Sequence, residues 1–124
     1  MKKEHYILPE EENEGQLAID VRQTPSAIII ESAVAGVDPD DLDIDIAGDS
    51  VTIRGERRHE DEITDQDYLF RECYWGKFSR SIILPEEIDP EKSEANFENG
   101  LLRIELPRIQ KSKAKKIKPS KKTK

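Results

Sequence analysis

Ala95-Asn96-Phe97-Glu98-Asn99-Gly100-Leu101-Leu102-Arg103-Ile104-Glu105-Leu106-Pro107 spells out a β-hairpin and, through it, the class of the whole chain. Ala95 and Phe97 alternate with polar residues, and Leu102, Ile104 and Leu106 resume the alternation after an interruption, which is the pattern of two half-buried strands. The interruption is Asn99-Gly100. A two-residue type I′ turn needs positive φ at both central positions, which Asn tolerates and Gly adopts without steric cost. A chain that commits to such a hairpin late in its length needs further strands to cover its apolar face.

Those strands are found on working upstream. Glu86 to Ser93 contains Asp89-Pro90, the signature of a capped short turn, and before it Phe78, Arg80, Ile82 and Leu84 share one face of a strand that Pro85 stops. Tyr68-Leu69-Phe70-Arg71-Glu72-Cys73-Tyr74-Trp75 concentrates four of the seven aromatic residues. It follows Glu56 to Asp67, a stretch with no period and too many charges to bury, hence an exposed loop. Val51 and Ile53, up to Gly55, pair through Ala47-Gly48-Asp49 with Leu42, Ile44 and Ile46 as a second hairpin. Asp38-Pro39-Asp40-Asp41 reads as a single helical turn with Asp38 as N-cap and Pro39 at the first helical position. Ala27 to Ala35, rich in β-branched residues, suits a central strand, and Leu17, Ile19 and Val21 predict a half-buried one before Thr24-Pro25-Ser26. The sum is about eight short strands, an all-β sandwich with Greek-key connections.

Size and charge set limits on that sandwich. The 124 residues hold one domain: a short mobile N-terminal arm over 1–16, the sandwich over 17–108 and a basic flexible tail over 109–124. Charged residues are 38% of the chain and apolar ones 35%, against about 25% charged in an average domain, so the core is thin or shared with a partner. Arg108 to Lys124 holds one Arg, eight Lys and no acid, so it carries +9, and the net of −7 leaves −16 on the rest. The single cysteine, Cys73, permits no intramolecular disulfide. With no apolar stretch resembling a signal peptide or membrane span, the expected compartment is cytoplasmic.

Two features sit badly in a self-contained sandwich. The aromatic stretch Tyr68 to Trp75 lies beyond a charged excursion, and Arg80 occupies a face otherwise filled by Phe78, Ile82 and Leu84. A buried guanidinium needs a carboxylate or carbonyl partner, and pairing of the excursion with a second subunit accounts for both.

No enzyme constellation emerges, and no cofactor or metal site. His5 falls in the arm and His59 in the charged loop, so neither is expected to have a fixed partner. The Asp38 to Asp45 acids lack the glycine hinge and terminal Glu of a calcium loop, and caps and an outer strand face explain them. Cys73 is an ordinary small strand residue, or a cross-link if its stretch lies on a symmetric interface. There is no phosphate-cradling glycine loop and no Ser/His/Asp set. The lysines from Lys111 to Lys124 could neutralise phosphates of nucleic acid or an anionic membrane, but no aromatic is interleaved for stacking and no arginine follows Arg108. A solubilising tail is the preferred reading.

From about Leu17 to Arg108 the sequence resembles the α-crystallin domain of the small heat-shock protein family. Four pieces carry the likeness, in order: Ala33-Val34-Ala35-Gly36-Val37-Asp38-Pro39-Asp40-Asp41-Leu42, Val51-Thr52-Ile53-Arg54-Gly55-Glu56-Arg57, Phe78-Ser79-Arg80 with Leu84-Pro85, and Ala95-x-x-x-Asn99-Gly100-Leu101-Leu102. The resemblance implies an immunoglobulin-like β-sandwich that forms a homodimer by strand exchange, the strand around Tyr68 to Cys73 inserting beside the partner's first strand near Leu17 to Val21. Leu17, Ile19, Val21, Tyr68, Leu69, Phe70, Arg71, Cys73 and Arg80 are then interface residues. It also implies an ATP-independent holdase for partly unfolded client proteins, with a groove between the Leu42 to Ile46 strand and the Ala95 to Leu102 hairpin, where Leu42, Ile44, Ile46 and Phe97 are the docking candidates. The alternative is a non-catalytic sandwich adaptor or co-chaperone binding a specific folded partner, or nucleic acid through the tail. Departures from the family pattern are an arm without Phe, Ala35 in place of a proline before Gly36, and Ile117-Lys118-Pro119 where relatives carry Ile-x-Ile. Dimers or small assemblies are expected in place of large shells.

Overall fold

The computed structural model describes residues 15–109 and 116–121. The alternating stretches form eight strands: β1 (Gly15–Gln16), β2 (Asp20–Gln23), β3 (Ala27–Ala33), β4 (Leu42–Ala47), β5 (Ser50–Arg57), β6 (Gly76–Ile83), β7 (Glu94–Glu98) and β8 (Leu101–Pro107). They make two four-stranded sheets, ordered β1-β6-β5-β4 and β2-β3-β8-β7, antiparallel except for the short parallel contact of β1 with β6. The links β3 to β4 and β6 to β7 cross between sheets, as Greek-key connectivity requires.

Each sheet carries most of its apolar side chains on one face, so the two stack. β3 contributes Ile28 and Ile30, β8 Leu102, Ile104 and Leu106, β5 Val51 and Ile53, and β6 Phe78, and all of them are buried. Each fully buried Ile or Leu side chain is worth about 1.5–3 kcal/mol relative to exposure, so this layer dominates the stability of the body. Asn99 (φ 53°) and Gly100 (φ 78°) turn β7 into β8 with Glu98 facing Leu101, the positive-φ pair the hairpin sequence demands. Asp38 and Asp89 cap 3₁₀ turns at Pro39–Asp41 and Pro90–Lys92, accepting hydrogen bonds from the N–H groups of Asp40 (3.0 Å) and Glu91 (3.1 Å). Arg108 closes the body: its guanidinium donates to Thr24 C=O (2.7 Å), Gln23 Oε1 (2.8 Å) and Glu86 Oε2 (2.6 Å).

Several expectations need correction. The first strand is two: β1 joins one sheet, β2 the other, and Leu17 to Ile19 crosses between them with Leu17 buried in the core. Period-2 alternation reports which side chains are buried and is silent on which sheet takes the backbone. Gly55 does not end a strand, because β5 runs on to Arg57. The missing side chain makes room for a ring: a Cβ there would lie 2.5 Å from Cζ of Phe78 and 2.9 Å from Cδ2 of Leu42. Ala95 is exposed, since β7 is an edge strand that only its Phe97 anchors to the core. Residues 68–75 form no strand, having no backbone ladder to join within one chain.

Candidate functional site

The topology leaves two open sides. β1 and β2 are the edge strands at one side of the sandwich, joined by only three residues, so β4 and β7, the other two edges, flank the opposite side.

On the β4/β7 side, Leu42, Ile44 and Ile46 lie opposite Gly55, Ile53 and Val51, and Phe97 lies opposite Leu102. All four are half-buried and packed against the core. They are the residues predicted to dock a partner, and they lie on the edge strands β4 and β7. Asp43 and Asp45 alternate with them on the outer face, where Asp45 accepts from Arg54 (3.0 Å). The side therefore offers an apolar strip with unpaired strand edges beside a carboxylate-rich rim.

On the β1/β2 side, the residues proposed for an interface separate into groups. Leu17 is buried in its own chain's core, and Ile19 is half-buried. Val21 is 46% exposed on the edge strand. Arg80 Nη1 donates to Leu17 C=O (2.8 Å), so the guanidinium finds its carbonyl inside one chain and needs no second subunit. Sequence reading missed this because the acceptor is a backbone atom of the crossing segment, which carries no residue signal.

The excursion from Arg58 to Trp75 is organised at its neck and bare at its tip. His59, expected to be solvated, stacks on Trp75 with ring centroids 3.6 Å apart, and its Nε2 is 3.0 Å from the Tyr68 hydroxyl. Arg57 at the end of β5 donates to Ala35 C=O (2.8 Å) and Tyr74 C=O (2.9 Å), and the Tyr74 hydroxyl donates to Lys77 C=O. Arg71 pairs with Asp65 (2.9 Å) and lies 4.5 Å from the Tyr68 ring centroid. Between these ties Leu69 and Phe70 stand 98% and 84% exposed, with Cys73 an exposed free thiol. Among the described residues no three His, Cys, Asp or Glu side chains are grouped to hold a metal ion, and no helix is long and apolar enough to cross a membrane. Of the tail, Lys116, Ile117, Lys118 and Lys121 are exposed. His5, Tyr6 to Leu8 and the remaining tail lysines lie outside the described residues.

A two-sheet sandwich with a long β5–β6 excursion and a capped turn before β4 coincides with one sequence family: the Hsp20/alpha crystallin family matches residues 8–120. The chain belongs to this family. Small heat shock protein C4 of Rickettsia felis is 41% identical over 101 residues, covering 82% of this chain and 62% of that protein. Heat shock protein 16 of Schizosaccharomyces pombe is 35% identical over 106 residues, covering 82% of this chain and 74% of that one. This chain thus spans less than two thirds of the Rickettsia relatives it matches, 62% and 64% of their lengths. The structure of heat shock protein 16.0 from Schizosaccharomyces pombe superposes with a TM-score of 0.70 at 34% identity, over 87% of this chain and all of that one. A small heat-shock protein from Xylella fastidiosa shares the fold with a TM-score of 0.70 at 23% identity, over 85% of this chain and 96% of that one. The α-crystallin-type sandwich expected of the family is the architecture described above.

Proposed function

We propose that the chain is an ATP-independent holdase whose working unit is a homodimer made by exchange of the Tyr68 to Cys73 segment, and that it is not an enzyme. The observation that carries the reading is the coexistence, on a small heat-shock sandwich, of strand edges left open and apolar side chains left in water: Leu69 and Phe70 on the excursion, and the half-buried Leu42, Ile44, Ile46 and Phe97 along β4 and β7. A partly unfolded client exposes apolar area worth about 25 cal/mol per Å² on burial and extended backbone that can add to an open edge. Both kinds of contact are available without nucleotide. Partners are therefore partly unfolded proteins and a second copy, and the expected compartment is the cytoplasm.

The direct trial follows light scattering of a heat-sensitive client with and without the full chain, nucleotide absent. Suppression at equimolar chain is expected. Unchanged aggregation at several-fold excess would count decisively against the holdase reading. Mass by light scattering after size exclusion should correspond to two chains.

A further inference from the structure

β4 and β7 are edge strands, and the phase of each hairpin decides which of their backbone groups stay open. Gly48-Asp49 and Asn99-Gly100 are two-residue turns closed by the pairs Ala47/Ser50 and Glu98/Leu101. A closing pair of this kind exchanges hydrogen bonds, and bonded pairs alternate with non-bonded ones along an antiparallel ladder. Asp43 and Asp45 therefore direct their N–H and C=O groups to β5, and Glu94, Asn96 and Glu98 direct theirs to β8. Those of Ile44, Ile46, Ala95 and Phe97 point off the sheets, and no turn or loop group among the described residues takes them. Side chains alternate in step. Ile44, Ile46 and Phe97 pack against the core, whereas Asp43, Asp45 and Glu98 stand exposed on the outer faces. Asp45 has Arg54 (3.0 Å), while Asp43, Glu94 and Glu98 have no ion-pair partner among the described residues.

Charges on an edge strand deter edge-to-edge pairing, and on β4 they deter a second copy. Two β4 strands lying antiparallel about Ile44 would set Asp43 of one against Asp45 of the other, like charges directly opposed. The same geometry admits another kind of strand. A segment that adds antiparallel to β4 bonds through Ile44 and Ile46, so its residues opposite Asp43 and Asp45 fall in non-hydrogen-bonded pairs, with Cα atoms about 4.5 Å apart and side chains at their closest. Lys or Arg at those places meets a carboxylate, and Asp or Glu is repelled. Apolar residues opposite Ile44 and Ile46 extend the buried layer. Resting on the holdase reading, we propose that the β4 edge selects clients by charge: it takes extended segments of unfolding proteins in which apolar residues alternate with Lys or Arg, and refuses those in which they alternate with Asp or Glu. β7 repeats the device, its open backbone at Ala95 and Phe97 lying between the carboxylates of Glu94 and Glu98.

The test measures binding of short fluorescent peptides to the full chain by polarisation. Valine alternates with lysine in one, with serine in a second and with glutamate in a third; a fourth has the lysine peptide's composition arranged in blocks. The lysine alternation should bind roughly tenfold more tightly than the serine one, and the glutamate and block peptides more weakly still. Asp43→Asn should weaken the lysine peptide about threefold and leave the serine peptide unchanged, while Asp20→Asn, on the opposite side of the sandwich, should alter neither. Equal binding of the lysine and serine peptides overturns the charge selection. So does an equal loss in Asp43→Asn and Asp20→Asn, or equal binding of the block peptide, since either means diffuse attraction to an acidic body. No peptide binding, with a solution mass that climbs with concentration, means that a second copy covers the edge and also overturns it. The holdase reading is judged separately, by light scattering of a heat-sensitive client: suppression there with any of these three results leaves the holdase standing without its selectivity, and no suppression overturns the holdase itself.

Discussion

At Gly55 the reason for a glycine is volume. Its φ is unexceptional, but the Phe78 ring occupies the space a Cβ needs, 2.5 Å from the closest ring atom, with Leu42 close on the other side. Gly55→Ala forces a buried ring and an edge-strand leucine to shift together, an overpacking cost of about 1–3 kcal/mol. For a body of this size that corresponds to a fall in Tm of roughly 4–8 °C per kcal/mol, measurable by calorimetry, and an unchanged Tm would mean that the ring relaxes freely. Arg80 belongs to the same scale. Its hydrogen bond to Leu17 C=O fastens the segment that crosses between sheets, so Arg80→Ala leaves a partly buried carbonyl unpaired and is expected to cost about 1–3 kcal/mol in a urea titration. If Arg80 acted only across a subunit interface, that loss would disappear at concentrations where the chain is monomeric.

The elements differ in how far the chain announces them. The Asn99-Gly100 hairpin and the Asp38 and Asp89 caps were legible because each depends on local chemistry: positive φ at two adjacent residues, or a carboxylate within reach of an N–H two residues on. The neck of the excursion was not. His59 and Trp75 sit at opposite ends of an irregular stretch with no period to align them, and only the antiparallel pairing of β5 with β6, ending at Arg57 opposite Gly76, brings them together. Once made, the stack closes a long loop and restricts how the tip can move. Stacked aromatic pairs contribute about 0.5–1.5 kcal/mol beyond area burial. His59→Ala is therefore expected to leave the Tm of the sandwich within about 2 °C, since the neck lies outside the core, yet to change the emission of Trp75, the only tryptophan, and to speed amide exchange across residues 58–75. Equal exchange in both proteins would mean that the stack holds nothing in place.

For the whole molecule, the alternation pattern specified a two-layer sandwich and its core, but the partition of the first strand between sheets depended on long-range closure: the Leu17 carbonyl caught by Arg80, and the Arg108 guanidinium reaching Thr24, Gln23 and Glu86. No local window contains those pairs. Charge is the other property of the molecule as a whole, and it bears on association. Two copies, each of net charge −7, repel at separations up to about a Debye length, roughly 10 Å at 0.1 M salt, and are screened beyond it. The tail opposes this by placing +8 beyond a remainder of −15, with Lys116, Lys118 and Lys121 in solvent. Deleting Lys111 to Lys124 removes eight positive charges and takes the net from −7 to −15. Salt should then strengthen dimerisation of the full chain mildly and of the shortened chain steeply, read as the change in dissociation constant between 20 and 300 mM sodium chloride at roughly the concentrations where screening length falls below the molecular radius. A tail that served to bind polyanions would add the opposite signature, a capture of generic RNA that weakens steeply as salt rises and vanishes with the deletion. If the full chain dimerises more weakly in high salt, and the deletion abolishes that response, then the lysines hold the dimer together by direct contact with a neighbouring acidic body, and a dispersing role for the tail is wrong.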